Sequence, residues 1–121
     1  MNQIKKVKGF TLVEIMIVVL IIGILMAIAV PNFLKARQSS RQKTVISNLR
    51  QIDGAKERWA METGKINGDV CSGAGDLVPD YIKLYPVNTP VTGVYTANPV
   101  GTEPVFLGKS QYQWATDPTG L

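Results

Sequence analysis

The residue with the clearest chemical demand is Glu14, a carboxylate close to the start of a long apolar segment. From Ile15 to Leu34 the sequence contains no charged residue. At about 1.5 Å per helical residue, this stretch spans roughly 30 Å, the thickness of a bilayer core. A carboxylate in such a segment costs roughly 2.5–3.5 kcal/mol at mid-bilayer and less near one end. Glu14 therefore either reaches back to the interface or meets an opposite charge at the same depth.

Other side chains give little basis for catalysis. The chain has no histidine, which excludes Ser–His and Cys–His nucleophiles and a histidine-ligated metal. Ser40 and Lys43 have the types of a serine–lysine pair, but the pattern around them predicts an exposed basic helix face without a pocket. We therefore predict that the protein is not an enzyme and binds no cofactor.

The junction before the apolar segment has a specific pattern. Residues Lys8 to Glu14 read KGFTLVE, and Gly23 and Pro31 interrupt the apolar run that follows. This pattern resembles the class III leader and N-terminal helix of type IV pilins and type II secretion pseudopilins. The resemblance covers about residues 1–34, and it requires a basic leader, a Gly-Phe junction and a glutamate at one fixed offset to coincide.

The resemblance implies that prepilin peptidase cuts between Gly9 and Phe10 and that Phe10 is then N-methylated. Glu14 lies four residues after the new amine, on the same helical face. In that family this glutamate pairs with the terminal amine of a neighbouring subunit, so we expect Glu14 to act in assembly. The leader that the peptidase recognises would include three lysines, Lys5, Lys6 and Lys8.

Gly23 and Pro31 are candidate flexible points of the apolar helix. Relative to alanine, an interior glycine costs about 1 kcal/mol and an interior proline roughly 3 kcal/mol. The resemblance implies that the segment between them can stretch or melt in a filament. A static bend is the alternative interpretation.

Residues 1–29 also have the parts of a conventional signal peptide. A basic start and an apolar core are followed by Ala27-Ile28-Ala29, a site of the kind that signal peptidase cuts. Cleavage before Val30 would release a secreted protein. Glu14 within the core, the length of that core, and the coincidence of Gly9-Phe10 with Glu14 argue against this alternative.

The charge balance gives little support to a nucleic-acid partner. The formal net charge is +4, but without the three leader lysines ten basic side chains face nine acidic ones. A run of basic residues after the apolar segment is interpreted as a solvated face or a contact with anionic lipid headgroups. Pairing with acids of a neighbouring subunit and DNA binding are the alternatives. The run comprises Lys35, Arg37, Arg41, Lys43 and Arg50.

The segment after Leu34 predicts a continued helix that supports a small head. One apolar helical face recurs along it, and Gly64 is a usual stop just beyond the last periodic residue. Residues 66–92 contain many glycines and prolines and predict a loop with at most short turns of helix, in which Leu77, Tyr81 and Ile82 dock on the long helix. The apolar face comprises Val45, Ile46, Leu49, Ile52, Ala55 and Trp59.

Three runs of β-branched or aromatic residues predict two or three antiparallel strands in the head: Val94–Thr96, Val105–Leu107 and Tyr112–Trp114. Trp59 and Trp114 are interpreted as core contacts rather than as ligand platforms.

Two further features of the head leave alternatives open. Cys71 is the only cysteine. It is interpreted as a buried or free thiol, with an intermolecular disulfide as the alternative. Asp69, Asp76 and Asp80 offer oxygen ligands, but their spacing matches no calcium loop, so no metal site is predicted.

Taken together, these patterns predict an α+β, pilin-like fold with a long N-terminal helix and a small antiparallel head packed on its C-terminal half. The predicted bounds are 1–9 for the leader, 10–34 for the transmembrane and polymerisation helix, 35–64 for its continuation, and 65–121 for the head.

The resemblance implies a structural subunit of a type II secretion pseudopilus or a type IV pilus, in the bacterial inner membrane with its head in the periplasm or outside. Implied partners are copies of itself or sister pilins, prepilin peptidase and methyltransferase, an assembly ATPase, a membrane platform protein and membrane lipid. A monomeric single-pass anchor that displays a binding domain is the alternative.

Overall fold

The computed structural model describes residues 7–87 and 91–121. The two short strands pair antiparallel, with Tyr95 opposite Phe106 and Thr96 opposite Val105. The predicted fold class, a long N-terminal helix with a small antiparallel head, is confirmed. In chain order the elements are α1 (Leu12–Thr63), α2 (Ala74–Leu77), β1 (Tyr95–Thr96), β2 (Val105–Phe106) and α3 (Gln111–Thr116).

The chain divides into two compact units, and the division falls between Ala36 and Arg37. In the first unit every described residue, from Val7 to Ala36, is exposed. The second unit contains a buried core. The four domain bounds predicted from the sequence rest on patterns alone and stay predictions.

The C-terminal part of α1 buries the face that its apolar period predicts. Val45, Leu49 and Ile52 are fully buried, and Trp59 is nearly so. The helix ends at Thr63, and Gly64 follows with a φ of +69°. Lys65 N donates to Ala60 O at 2.9 Å, which is the closing bond of a glycine C-cap. The predicted glycine stop is confirmed.

Each small element of the head contributes one large side chain to this core: Leu77 from α2, Tyr95 from β1, Phe106 from β2 and Trp114 from α3. The rings of Tyr95 and Phe106 lie 4.4 Å apart between centroids, and those of Phe106 and Trp114 lie 6.2 Å apart. Both tryptophans are therefore core residues, as predicted.

The three residues predicted to dock on α1 join the core to which α1 contributes, and Tyr81 contacts α1 directly. Leu77 is fully buried, and Tyr81 and Ile82 pack against the core. Tyr81 is attached to α1 at both ends, because its hydroxyl donates to Glu62 Oε2 at 2.7 Å and its carbonyl accepts from Arg58 Nη2 at 3.0 Å. This hydroxyl bond to a carboxylate, with burial, raises the pKa of Tyr81.

The prediction of a strand at Tyr112–Trp114 is wrong, because these residues lie in helix α3. A strand would place Tyr112 and Trp114 on one face. In the structure Trp114 is 1% exposed and Tyr112 is 66% exposed. The predicted two- or three-stranded sheet therefore has two strands among the described residues.

Local chemistry at Ser110 explains why this segment is helical. Ser110 is extended and forms a capping box with Gln113, in which Ser110 N donates to Gln113 Oε1 at 2.8 Å. A tight reversal after β2 delivers the chain to this cap, with φ of +49° at Leu107 and +75° at Gly108. The indole Nε1 of Trp114 donates to Phe106 O at 3.0 Å, so the helix is tied to β2.

Candidate functional site

The predicted cleavage point lies in exposed backbone before α1. Gly9 and Phe10 belong to no helix or strand, and the Phe10 side chain is 85% exposed. Lys8 is exposed as well. The other two predicted leader residues, Lys5 and Lys6, lie outside the described residues. The bond between Gly9 and Phe10 is thus sterically open within the described chain.

A reciprocal hydrogen-bond pair marks the start of α1. Thr11 N donates to Glu14 Oε2 at 2.8 Å, and Glu14 N donates to Thr11 Oγ1 at 3.3 Å. This is a capping box, which satisfies two amide groups that a helix start would otherwise leave without partners. It explains why α1 begins at Leu12 rather than at Phe10. The sequence signal was present as Thr11 followed three residues later by Glu14, and it was missed.

Glu14 therefore has a local partner in addition to the one predicted for it. Its Oε2 caps the helix, whereas its Oε1 has no hydrogen-bond partner within residues 7–87 and 91–121. The carboxylate is exposed and lies in the first turn of the helix. A negative charge there is favoured by the helix dipole. The carboxylate can keep its cap and still accept a bond from another group.

The apolar surface that follows Glu14 is entirely unpaired within the described chain. Every residue from Leu12 to Leu34 is exposed, although most are large and apolar. By length and composition, helix α1 is long enough and apolar enough to cross a membrane. An apolar surface of this extent in water would indicate an interaction with lipid or protein.

The two candidate flexible residues lie inside this stretch of α1. The helix is continuous through both Gly23 and Pro31. A Cβ added at Gly23 would meet no heavy atom within 4 Å, so no packing inside the described chain requires a glycine there. The predicted stretching between these positions stays a prediction.

A buried lysine in the head is the main feature that the sequence interpretation missed. Lys56 is fully buried on the core-facing side of α1. Its Nζ donates to Ala97 O at 3.0 Å and to Thr102 O, and lies 3.6 Å from Asp53 Oδ1. The apolar series 45, 49, 52, 59 advances by alternating steps of four and three, which places residue 56 within the stripe. That spacing was the available signal.

Cys71 is a buried thiol, as predicted, with 8% of its surface exposed. Tyr85 lies beside it and donates its hydroxyl to Tyr95 O at 3.3 Å. Burial, with a smaller contribution from Cys71, raises the pKa of Tyr85 to about 12. Burial also raises the pKa of Tyr95. A disulfide from Cys71 to another chain stays an untested alternative.

Two of the three aspartates considered as calcium ligands accept hydrogen bonds from nearby backbone amides. Asp69 Oδ2 accepts Ile66 N at 2.9 Å, and Asp76 Oδ2 accepts Ser72 N at 2.6 Å. Within the described ranges, no three acidic or cysteine side chains are grouped as a metal site would need. The basic residues after the apolar segment are exposed except Arg41, which is half-buried.

Comparison with known proteins bears on the N-terminal segment first. Residues 4–30 match the family model of the prokaryotic N-terminal methylation motif. This chain carries that motif. The match includes Gly9, Phe10 and Glu14, and it covers the apolar segment as far as Val30.

Curated relatives of this chain are named as type IV pilus proteins and as core proteins of the type II secretion system. It is 49% identical over 55 residues to the type IV major pilin protein PilA of Myxococcus xanthus, covering 46% of this chain and 25% of the relative. It is 33% identical over 58 residues to the type II secretion system core protein G of Klebsiella pneumoniae, covering 48% and 41%. The resemblance to these two groups is confirmed.

A third relative aligns over more of the chain. The type IV wide pilus major component PilA4 of Thermus thermophilus is 32% identical over 84 residues, covering 69% of this chain and 61% of the relative. The chain thus spans less than half the length of the first two relatives and 61% of the length of the third. No solved structure gives a significant match.

Proposed function

We propose that this chain is a structural subunit of a filament, either a type IV pilus or a type II secretion pseudopilus. The observation that carries the proposal is the methylation motif at the start of a helix whose apolar residues, Leu12 to Leu34, are all exposed. Such a helix suits two environments in turn, the lipid bilayer before assembly and a bundle of like helices after it. The head then faces the periplasm or the exterior.

Processing at the motif is the first step of the proposal. Prepilin peptidase cuts the bond between Gly9 and Phe10, whose surroundings are open, and methyltransferase activity modifies the new amine of Phe10. The lysines of the leader are recognised on the cytoplasmic side. Assembly then requires an ATPase and a membrane platform protein, with copies of this chain or sister pilins as the filament partners.

Glu14 gives the proposal a specific contact. Its Oε1 has no partner among the described residues, while Oε2 already accepts the amide of Thr11. A neighbour's cationic Phe10 amine can therefore bind Oε1 without breaking the helix cap. An ion pair buried between helices is strongly sensitive to loss of one partner, by about 3–5 kcal/mol, so it fixes the register of entry.

The test begins with the N-terminal peptide mass of the full chain purified from its native membrane. N-methylated Phe10 is the expected start. A start at Val30 would identify a conventional secreted protein and overturn the proposal. An intact Met1 with no self-crosslinked products in cells would identify the monomeric membrane anchor instead.

A second measurement tests assembly itself. In-cell crosslinking of the wild-type chain should give a ladder of self-products or of products with sister pilins. Glu14→Ala should reduce that ladder strongly. Glu57→Ala is the matched control, because Glu57 is an exposed glutamate on the same helix. Equal ladders for all three chains would remove the assembly role of Glu14.

A further inference from the structure

The buried side chain of Lys56 lies at the centre of a small cluster of oxygen atoms. The carbonyl oxygens of Ala97 and Thr102 accept from its Nζ, and the carboxylate of Asp53 lies 3.6 Å away on the preceding turn of α1. An ammonium group has three N–H donors and no acceptor. Two carbonyl acceptors and a carboxylate at 3.6 Å thus surround Nζ with oxygen atoms only.

Two of these oxygens belong to the 97–102 loop, the first six residues of the connection between β1 and β2. The loop contains two left-handed residues, Asn98 with φ +57° and Gly101 with φ +81°. These conformations let the chain turn so that its first and last carbonyls both reach the same ammonium. Carbonyl oxygens that converge in a buried site repel one another unless a cation or donor lies between them.

The same loop is also attached to the segment before Cys71. Gly68 N donates to Val100 O at 2.9 Å, and Val100 N donates to Asp69 O at 3.0 Å. Val100 itself is buried. The 97–102 loop and the 66–69 segment therefore hold each other by two backbone hydrogen bonds, and Lys56 Nζ adds a contact to each end of the loop.

We infer that these oxygens form a cation site and that the ammonium of Lys56 is its resident cation. The chain supplies from its own helix the positive charge that orders the 97–102 loop, so the folded head needs no cation from solution. When Lys56 is replaced by a shorter residue, the site it leaves should bind a primary alkylammonium ion. This inference is independent of the filament role.

The first test replaces the charge and keeps the apolar stem. Lys56→Met in the full chain, in detergent, should lower Tm by about 10 °C, because it leaves the buried carbonyl of Ala97, the partly buried carbonyl contact of Thr102 and one carboxylate without their donor. Hydrogen exchange should show that the amides of Gly68, Val100 and Thr102 lose protection before those of α1. Lys43→Met, on an exposed face of the same helix, is the control and should leave both readouts unchanged.

The second test asks whether an added ammonium ion restores the stability lost when the Lys56 side chain is removed. Lys56→Ala removes three carbons and the amine, which n-propylammonium replaces atom for atom. Millimolar n-propylammonium should raise the Tm of this variant, or restore its refolding if it does not fold alone, and should leave the wild type unchanged. 1-Propanol, which lacks the charge, and tetramethylammonium, which lacks N–H donors, should not.

Four results would overturn the inference. Unchanged loop protection in Lys56→Met would show that the ammonium does not order the loop. Equal rescue by 1-propanol would show that Lys56 only fills volume, and absence of any rescue would show that there is no cation site. A Tm of the wild type that rises with calcium or falls with EDTA would show that the head takes a cation from solution.

Discussion

Thr11 and Glu14 hydrogen-bond each other's backbone amides at the start of α1, at 3.3 and 2.8 Å. The glutamate of the methylation motif is therefore a helix cap in this chain. One carboxylate oxygen does this, and the other is available. A local structural role and an assembly role are compatible in the same side chain.

These two roles can be separated by substitution. Glu14→Gln keeps an oxygen for the amide of Thr11 but loses the charge, so we expect correct processing and a fall in assembled filament of tenfold or more. Thr11→Ala removes its half of the cap at a cost of about 1 kcal/mol but keeps the charge, so assembly should persist. Sedimented filament and N-terminal mass are measured together. Normal assembly of Glu14→Gln would contradict the ion-pair role.

The two aromatic residues of α3 should differ sharply in their effect on stability. Trp114→Ala should lower the free energy of unfolding by about 3–5 kcal/mol, because it opens a cavity and removes the donor to Phe106 O. Tyr112→Ala, on the exposed side of the same short helix, should stay within about 0.5 kcal/mol. Denaturant unfolding of the full chain in detergent measures both. Similar losses would contradict the burial of Trp114 and the exposure of Tyr112.

Two glycines should respond to alanine in opposite directions. Gly101 has a φ of +81°, and a Cβ there would lie 2.8 Å from Asn67 Oδ1, so Gly101→Ala should destabilise the head by about 1–3 kcal/mol. Gly54 lies on the exposed side of α1 with open space around it. Gly54→Ala should stabilise the chain by up to about 1 kcal/mol. Thermal unfolding decides the two signs.

The C-terminal residues should contribute a stability that disappears in acid. Lys109 Nζ lies 2.7 Å from Asp117 Oδ2, and hydrogen bonds from Lys109 and then Thr119 lower the pKa of Asp117 to about 2 from 3.8. Between pH 3.8 and about pH 2, Asp117 is protonated in the unfolded chain but still ionised in the folded chain. The contribution is therefore complete above about pH 4 and is lost as the pH falls through about 2.

Asp117→Asn tests that pH window. The Tm difference between wild type and Asp117→Asn should be constant from pH 7 to about 4.5 and should shrink towards zero near pH 2. Asp80→Asn is a control at an exposed aspartate and should show no such narrowing. A difference that persists unchanged to pH 2 would contradict the role of the carboxylate.

Much of the fold could be predicted because the spacing of apolar residues along a helix indicates which face is buried. The stripe from Val45 to Trp59, the glycine stop at Gly64 and the docking of Leu77 follow from spacing and from the known cost of exposing apolar surface. The first two strands were placed to within one residue. These features depend on contacts that are local in sequence or on a face that repeats.

The missed features depend on polar contacts whose partners the apolar spacing does not identify. Residues 112–114 have the composition of a strand, but the capping box at Ser110 and the turn at Leu107 and Gly108 direct them into a helix. Lys56 occupies an apolar stripe because two carbonyls more than forty residues away converge on it. Long-range polar contacts of this kind cannot be derived from residue types alone.

Because Cys71 is buried, its reactivity can report local opening of the folded head. Because it is the only cysteine and its thiol is covered, a thiol reagent should label the chain only when the 71–74 segment opens. The labelling rate then measures the opening of that segment in membranes or in polymer without an engineered labelling site. An engineered surface cysteine would react far faster, so two sites on one chain can be distinguished by time alone.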